Sequence, residues 1–253
     1  MDFAVVIPAR YASTRFPGKP LATLGGKPII VRVCERAAST GLPVYVATDD
    51  ERILECVQKH GYKGVMTRAD HHSGTDRINE AVIHLGLTAD VIINIQGDEP
   101  FISTRQIEAL ENVFKENPDT DIATLVQRFK PEAGFEALFS PNLVKVVFDE
   151  EGKALYFSRS IIPYVRGTEW QLWLDTTDFY THIGVYAYRR HVLALVTELP
   201  PSSLERAESL EQLRWLQAGY NIKVAETDSS NIGIDTPEDL AEAEKMLKIS
   251  GTR

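Results

Sequence analysis

Three cations, Arg10, Arg15 and Lys19, follow a short apolar run at residues 3–7. They lie in the segment Pro8-Ala9-Arg10-Tyr11-Ala12-Ser13-Thr14-Arg15-Phe16-Pro17-Gly18-Lys19-Pro20. A turn at the carboxyl end of a strand that carries small residues between cations can aim backbone N–H groups and positive charge at a polyphosphate. The alternative is a solvated surface loop. The segment is not a Walker loop, because Lys19 is followed by Pro20, and no Gly-x-Gly-x-x-Gly follows the run. The second constellation is Asn94-Ile95-Gln96-Gly97-Asp98-Glu99-Pro100, which closes the most apolar run of the chain. A carboxylate there, Asp98, is placed to hold a divalent cation against phosphate oxygens, and Gly97 allows a close backbone approach. The competing reading is a simple turn.

Two further segments offer weaker chemistry. Residues 67–77, Thr-Arg-Ala-Asp-His-His-Ser-Gly-Thr-Asp-Arg, feed a helix start at Ser73-Gly74-Thr75, with Arg68 and Arg77 on either side. The paired histidines lack a third ligand nearby, which disfavours zinc. Residues 231–237, Asn-Ile-Gly-Ile-Asp-Thr-Pro, contain Asp235 and Thr236, each of which could simply cap the last helix.

The elements that must position these residues follow from periodicity. Apolar runs at 3–7, 44–47, 91–95 and 122–126, with a weaker one at 65–67, alternate with helical spacing over 28–39, 75–85 and 103–114. Asp50 is placed to cap a further helix after it. This βαβα rhythm argues for a mostly parallel sheet covered by helices on both faces, with ligands at the carboxyl ends of the strands. The rhythm changes near residue 142. Runs at 144–148 and 154–157 flank Asp149-Glu150-Glu151-Gly152 and read as a hairpin. Residues 163–180 are irregular and hold Trp170 and Trp173. A strand at 183–188 and helices over 191–199 and 203–217 follow. A last helix opens at Thr236-Pro237-Glu238-Asp239.

Composition narrows the classes. Of 253 residues, 43% are hydrophobic and 25% charged, as in an ordinary globular chain. A net charge of -9 argues against general nucleic-acid binding. The two cysteines, Cys34 and Cys56, lie in helical patterns and read as small hydrophobes rather than a disulfide. The amino terminus lacks the features of a signal peptide and no apolar run reaches membrane length, so the expected compartment is the cytoplasm.

Taken in order, the motifs Pro-Ala-Arg-Tyr-Ala-Ser-Thr-Arg-Phe-Pro-Gly-Lys-Pro-Leu, Ala-Thr-Asp, Thr-Arg-Ala-Asp-His-His-Ser-Gly-Thr-Asp-Arg, Gln-Gly-Asp-Glu-Pro, Val-Lys-Val-Val, Ala-Leu-Tyr-Phe-Ser-Arg, His-Ile-Gly-Val-Tyr, Leu-Glu-Gln-Leu-Arg and Gly-Ile-Asp-Thr-Pro-Glu-Asp-Leu resemble the 3-deoxy-manno-octulosonate cytidylyltransferase (CMP-Kdo synthetase) family. The likeness runs from Phe3 to about Leu247. It implies one nucleotide-diphospho-sugar transferase-like, Rossmann-related α/β domain over 1–253. A hairpin-bearing sugar-acid-binding and dimerisation subregion would occupy about 142–200. It implies that CTP and Kdo, with Mg2+, give CMP-Kdo and pyrophosphate for lipopolysaccharide synthesis in a homodimer. It assigns the triphosphate to Arg10 and Lys19 with Arg15 helping, and the nucleotide to Pro8, Ala9, Arg68, Ser73, Gly74 and Gln96. Arg77 falls near the reacting groups, magnesium goes to Asp98 and Asp235, and the sugar acid to Arg159, His182, Tyr186, Glu211 and Gln212. The chain departs from the family pattern at Phe16, His72, Asp76, 203–205 and 166–178, which leaves the implied reaction intact and the detail of the sugar pocket's rim unassigned. Competing readings are a cytidylyltransferase for 8-amino-Kdo or a sialic acid, a sugar-1-phosphate nucleotidyltransferase, and a non-catalytic nucleotide-binding regulator. A dehydrogenase lacks its glycine fingerprint.

Overall fold

A computed structural model describes residues 1–13, 15–229 and 233–249, so Thr14, Asn231 and Ile232 of the motifs above lie outside the described residues. The chain forms two compact units, residues 1–108 with 231–253, and residues 109–230.

Unit 1 carries β1 (Phe3–Ala9), the two-residue strands β2 (Thr23–Leu24) and β3 (Lys27–Pro28), β4 (Val44–Thr48), β5 (Lys63–Met66) and β6 (Val91–Asn94). Its helices are α1 (Ile29–Ala38), α2 (Glu51–Lys59) and α3 (Gly74–His84). The strand order β6-β1-β4-β5 is parallel throughout. All seven residues of β1 and all four of β6 are buried, so both faces of these strands are covered, as their uninterrupted apolar runs require. Asp50 caps α2 as expected, accepting the Arg52 N–H at 3.0 Å.

Where β6 ends, Gly97 meets the end of β1. A Cβ on Gly97 would sit 2.9 Å from the Pro8 carbonyl oxygen and 3.3 Å from the Ile30 side chain. At this glycine the backbone therefore runs close against the neighbouring strand β1. Gly97→Ala is expected to destabilise the protein by about 1–3 kcal/mol, because backbone must shift to admit the methyl group. Urea denaturation measures this, and an unchanged midpoint would contradict it.

The chain enters unit 2 within α4 (Thr104–Glu116). Unit 2 holds β7 (Ile122–Arg128), α5 (Phe135–Leu138), β8 (Lys145–Phe148), β9 (Ala154–Ser158), α6 (Trp173–Thr176), β10 (Tyr180–Arg189), α7 (Arg190–Thr197), α8 (Ser203–Glu208), α9 (Gln212–Gln217) and β11 (Ile222–Glu226). Here the pairing is mixed. β7 pairs parallel with β11 and antiparallel with β10, while β8 and β9 form the expected antiparallel hairpin, which extends to β10. Strand β11 had no counterpart in the sequence reading, its apolar residues being spaced by Lys223 and Glu226. The single helix expected over 203–217 is two helices, broken at Ser209, whose φ of 52° is left-handed. Trp173 is buried with Phe129, Phe135, Leu138 and Phe179 and is core, whereas Trp170 remains exposed beside Phe135. Cys34 is buried and Cys56 half-buried, both as free thiols, and burial pushes the Cys34 thiol up to about 12. The last helix, α10 (Pro237–Ile249), belongs to unit 1. No helix among the described residues is long and apolar enough to cross a membrane.

Candidate active site

A cleft of about 290 Å³ opens in unit 1 at the carboxyl ends of β1 and β6, where a parallel sheet presents its ligand edge. Its walls include Pro8, Ala9, Arg10, Arg15, Lys19, Ser73, Gly74, Arg77, Gln96, Asp98 and Asp235, eleven of the residues singled out above. Local geometry shapes the cationic turn. Gly18 takes a φ of 72° and packs against the Tyr11 ring, which a Cβ would meet at 3.1 Å. Its N–H donates to the Tyr11 carbonyl at 3.0 Å. Arg52, held by Asp50 through side-chain bonds of 2.9 and 2.6 Å, lies 3.5 Å over the same ring.

The turn delivers Lys19 between two carboxylates. The buried Lys19 donates from Nζ to Asp98 Oδ2 at 2.5 Å and to Asp235 Oδ1 at 3.1 Å. Arg15 reaches the second oxygen of Asp235 at 3.0 Å. The Ile234 N–H also donates to the Asp98 carbonyl at 2.9 Å, which ties the two segments together through backbone. The question of what caps α10 resolves in the same place. Asp239 N–H donates to Thr236 Oγ1 at 3.2 Å, and Asp239 in return accepts the N–H groups of Asp235 and Thr236 at 2.9 Å each. Thr236 and Asp239 are the cap, so the Asp235 carboxylate is left to the cleft.

Two carboxylates aimed at one ammonium form a donor set suited to a hard divalent cation. Magnesium commonly uses one or two protein carboxylates and completes its shell with phosphate and water oxygens. Among the described residues no group of three or more His, Cys, Asp or Glu side chains is arranged to hold a metal.

The opposite wall starts at α3. Ser73 and Asp76 form a reciprocal cap, with bonds of 3.1 Å each way, and this fixes the helix start in the cleft wall. Gly74 is not sterically demanded, since its Cβ would make only ordinary contacts with Pro8 and Gln96. Gln96 donates to Asn94 Oδ1 at 3.2 Å. Arg77 is buried, donating to Asp49 Oδ2 at 2.8 Å and to Thr67 Oγ1 at 2.7 Å. Asp49 was visible in the sequence only as the end of Ala-Thr-Asp, with no sign of its partner. Arg68 does not line the cleft. Its exposed guanidinium lies 3.7 Å from Asp70 and 3.6 Å from Glu80, and His71 stands in the wall instead.

The five residues linked to a sugar acid lie in unit 2. His182 on β10 shares a 3.0 Å hydrogen bond with Thr124 Oγ1 and packs against the rings of Phe157 and Tyr186 at 5.1 and 5.3 Å. Desolvation pushes its pKa down to about 3, so the ring is neutral at ordinary pH. Tyr186 is buried, and burial, with the Tyr188 and Glu211 charges adding, raises its hydroxyl well above the usual range. Its ring meets Trp215 at 5.2 Å, and Trp215 lies one turn along α9 from the buried Gln212. Arg159 directs its guanidinium to main-chain carbonyls. It donates to the carbonyls of Glu208 at 2.6 Å, Pro141 at 2.7 Å and Ser209 at 3.2 Å. Beside it the buried Lys145, visible in the sequence only within Val-Lys-Val-Val, donates to the carbonyls of Ser140, Leu143 and Arg159. Both cations thus brace the loops around the hairpin and α8.

A family model described as cytidylyltransferase matches residues 4–224. A 3-deoxy-manno-octulosonate cytidylyltransferase of Phocaeicola vulgatus is 57% identical over 98% of each chain, and one of Bacteroides thetaiotaomicron is 56% identical over 98% of this chain and 99% of its own. The chain belongs to the 3-deoxy-manno-octulosonate cytidylyltransferase family. A solved structure of CMP:2-keto-3-deoxy-manno-octonic acid synthetase complexed with CTP is 43% identical to this family member and superposes with a TM-score of 0.90, covering 99% of this chain and all of the other. A cytidylyltransferase from Leptospira borgpetersenii, at 16% identity and a TM-score of 0.61, shares the fold.

Proposed function

We propose that this protein activates Kdo with CTP. The anomeric hydroxyl of Kdo attacks the α-phosphorus in line. A C–O–P linkage forms, the bond from the α-phosphorus to the bridging oxygen breaks, pyrophosphate leaves, and the hydroxyl proton passes to solvent. The observation that supports this best is the convergence of Asp98 and Asp235 on Lys19 in a cleft walled by further cations. Arg10, Arg15 and Lys19 bind the triphosphate. Pro8, Ala9, Ser73, Gly74 and Gln96 line the space for the rest of the nucleotide, and Arg77 supplies fixed N–H donors. Asp98 and Asp235 hold magnesium, which, when bound, neutralises phosphate charge and makes an attacking hydroxyl more acidic. The protein's own contribution is positioning and a pre-set electrostatic field. His182, Tyr186, Glu211 and Gln212 contact the sugar acid, and Arg159 shapes its surroundings through the loops it binds.

The reading extends to a homodimer formed through unit 2, where Phe139, Trp170 and Leu172 expose 57%, 43% and 50% of their surface, and to a cytoplasmic enzyme that feeds lipopolysaccharide synthesis. Pyrophosphate release from CTP and magnesium, measured over Kdo, 8-amino-Kdo, a sialic acid and a sugar 1-phosphate, is the test. Release with Kdo alone is expected. Release only with another acceptor would replace Kdo in the proposal, and nucleotide binding without turnover would favour a regulator.

A further inference from the structure

The loop that brings His71, His72 and Ser73 to the cleft wall is held from behind by the Glu80 carboxylate. Glu80, on the second turn of α3, accepts the Arg68 N–H at 3.3 and 3.2 Å on its two oxygens and bonds to His71 Nε2. His84 Nε2, one turn further along α3, lies 3.7 Å from the same group, and the Arg68 guanidinium lies 3.6 Å away. The His71 and Glu80 side chains are only 5% and 15% exposed. Burial alone would raise the Glu80 pKa, but the His71 and Arg68 hydrogen bonds outweigh it and leave the carboxyl below its usual range. The group is therefore a charged, largely buried anchor. It grips the loop at two points, just before Ser73 caps α3 in the cleft. Its bond to His71 Nε2 leaves Nδ1 as the remaining polar ring atom of a side chain that lines that cleft.

We infer that Glu80 is a positioning residue for nucleotide binding, which acts through His71 and the Arg68 N–H to set where the loop and the start of α3 meet the ligand. It touches no substrate itself. This rests on the assignment of the cleft to CTP. The argument is geometric. A loop that must present N–H groups to a phosphate or base within a few tenths of an ångström needs a fixed support, and small misplacements there reduce binding sharply. Glu80 is that support, and without it His71 and Arg68 lose the acceptor that orders them.

The test compares Glu80→Ala and Glu80→Gln with the unaltered protein by calorimetric titration with CTP in the presence of magnesium, together with steady-state kinetics. Glu80→Ala is expected to weaken CTP binding and raise the KM for CTP by about 10-fold or more, while kcat and the KM for Kdo stay within about 2-fold. Glu80→Gln, whose side-chain carbonyl still accepts the Arg68 N–H but lacks the carboxylate charge, is expected to recover only part of the loss and to leave the KM for CTP raised about 3-fold, and it carries the test if the alanine variant does not fold. Unchanged CTP affinity in a folded variant would overturn the inference. So would a fall in kcat together with a rise in both KM values, which is the mark of general damage. Failure of the unaltered protein to bind CTP would instead remove the assignment of the cleft on which the inference stands.

Discussion

Asp98→Asn is expected to lower turnover by at least about a hundredfold while the protein stays folded. The amide keeps the volume and one acceptor oxygen of the carboxylate but removes the charge. That charge balances Lys19, 2.5 Å away, and supplies half of the proposed magnesium donor set. Asp235→Asn is expected to act in the same direction, since its carboxylate is not needed to cap α10, a task already performed by Thr236 and Asp239. Stability should change little in either variant. The Asp98 and Asp235 side chains are 29% and 48% exposed, and Lys19, itself 11% exposed, keeps one carboxylate in either variant, so the loss should stay at about 1 kcal/mol. The decisive readout is pyrophosphate release as a function of magnesium. A raised magnesium requirement in both variants assigns both groups to one ion. Wild-type turnover in either would remove that residue from the site.

Asp49→Ala is expected to cost about 3–5 kcal/mol of unfolding free energy. Arg77 and Asp49 are 5% and 12% exposed, so the pair is shielded from solvent. Removing the carboxylate leaves a guanidinium whose remaining bond among the described residues runs to Thr67 Oγ1 at 2.7 Å. Asp49→Asn, which preserves an acceptor, should lose less. Denaturant unfolding of the two variants and of Arg77→Met measures the coupling. A loss of under about 1 kcal/mol in Asp49→Ala would show that solvent reaches Arg77 and replaces its partner. Because Arg77 also lines the cleft, the alanine variant is expected to lose activity as well, and stability and turnover must be read separately.

Much of the fold was legible before the structure. Uninterrupted apolar runs at β1 and β6 marked strands covered on both faces, and helical spacing found α1 to α4 to within a few residues. Local chemistry also carried Asp50 to its cap and Gly152 to the hairpin turn. Unit 2 was less legible. β11 alternates with charged residues on a partly exposed strand, and the break between α8 and α9 rests on a left-handed serine that no propensity announces. In the candidate site, the residues on loops after β1 and β6 were readable because a parallel sheet places ligands there. The partners of Arg68 and Arg159 were not readable, because a cation's charge is visible in a sequence and the acceptors that occupy it are not.

The order of residues by itself settled the main strands and helices of unit 1, where the cationic turn and the acidic loop fall, and which family the chain joins. Tertiary structure alone decided that Lys19 stands between carboxylates 79 and 216 residues away along the chain, that Asp49 neutralises Arg77, and that Glu80 holds His71. The physical reason is range. Periodicity, capping and turn preference act over a few residues and are written locally. The partner of a charged group is fixed by strand register and helix packing, which bring together atoms whose separation in sequence carries no information about their distance in space.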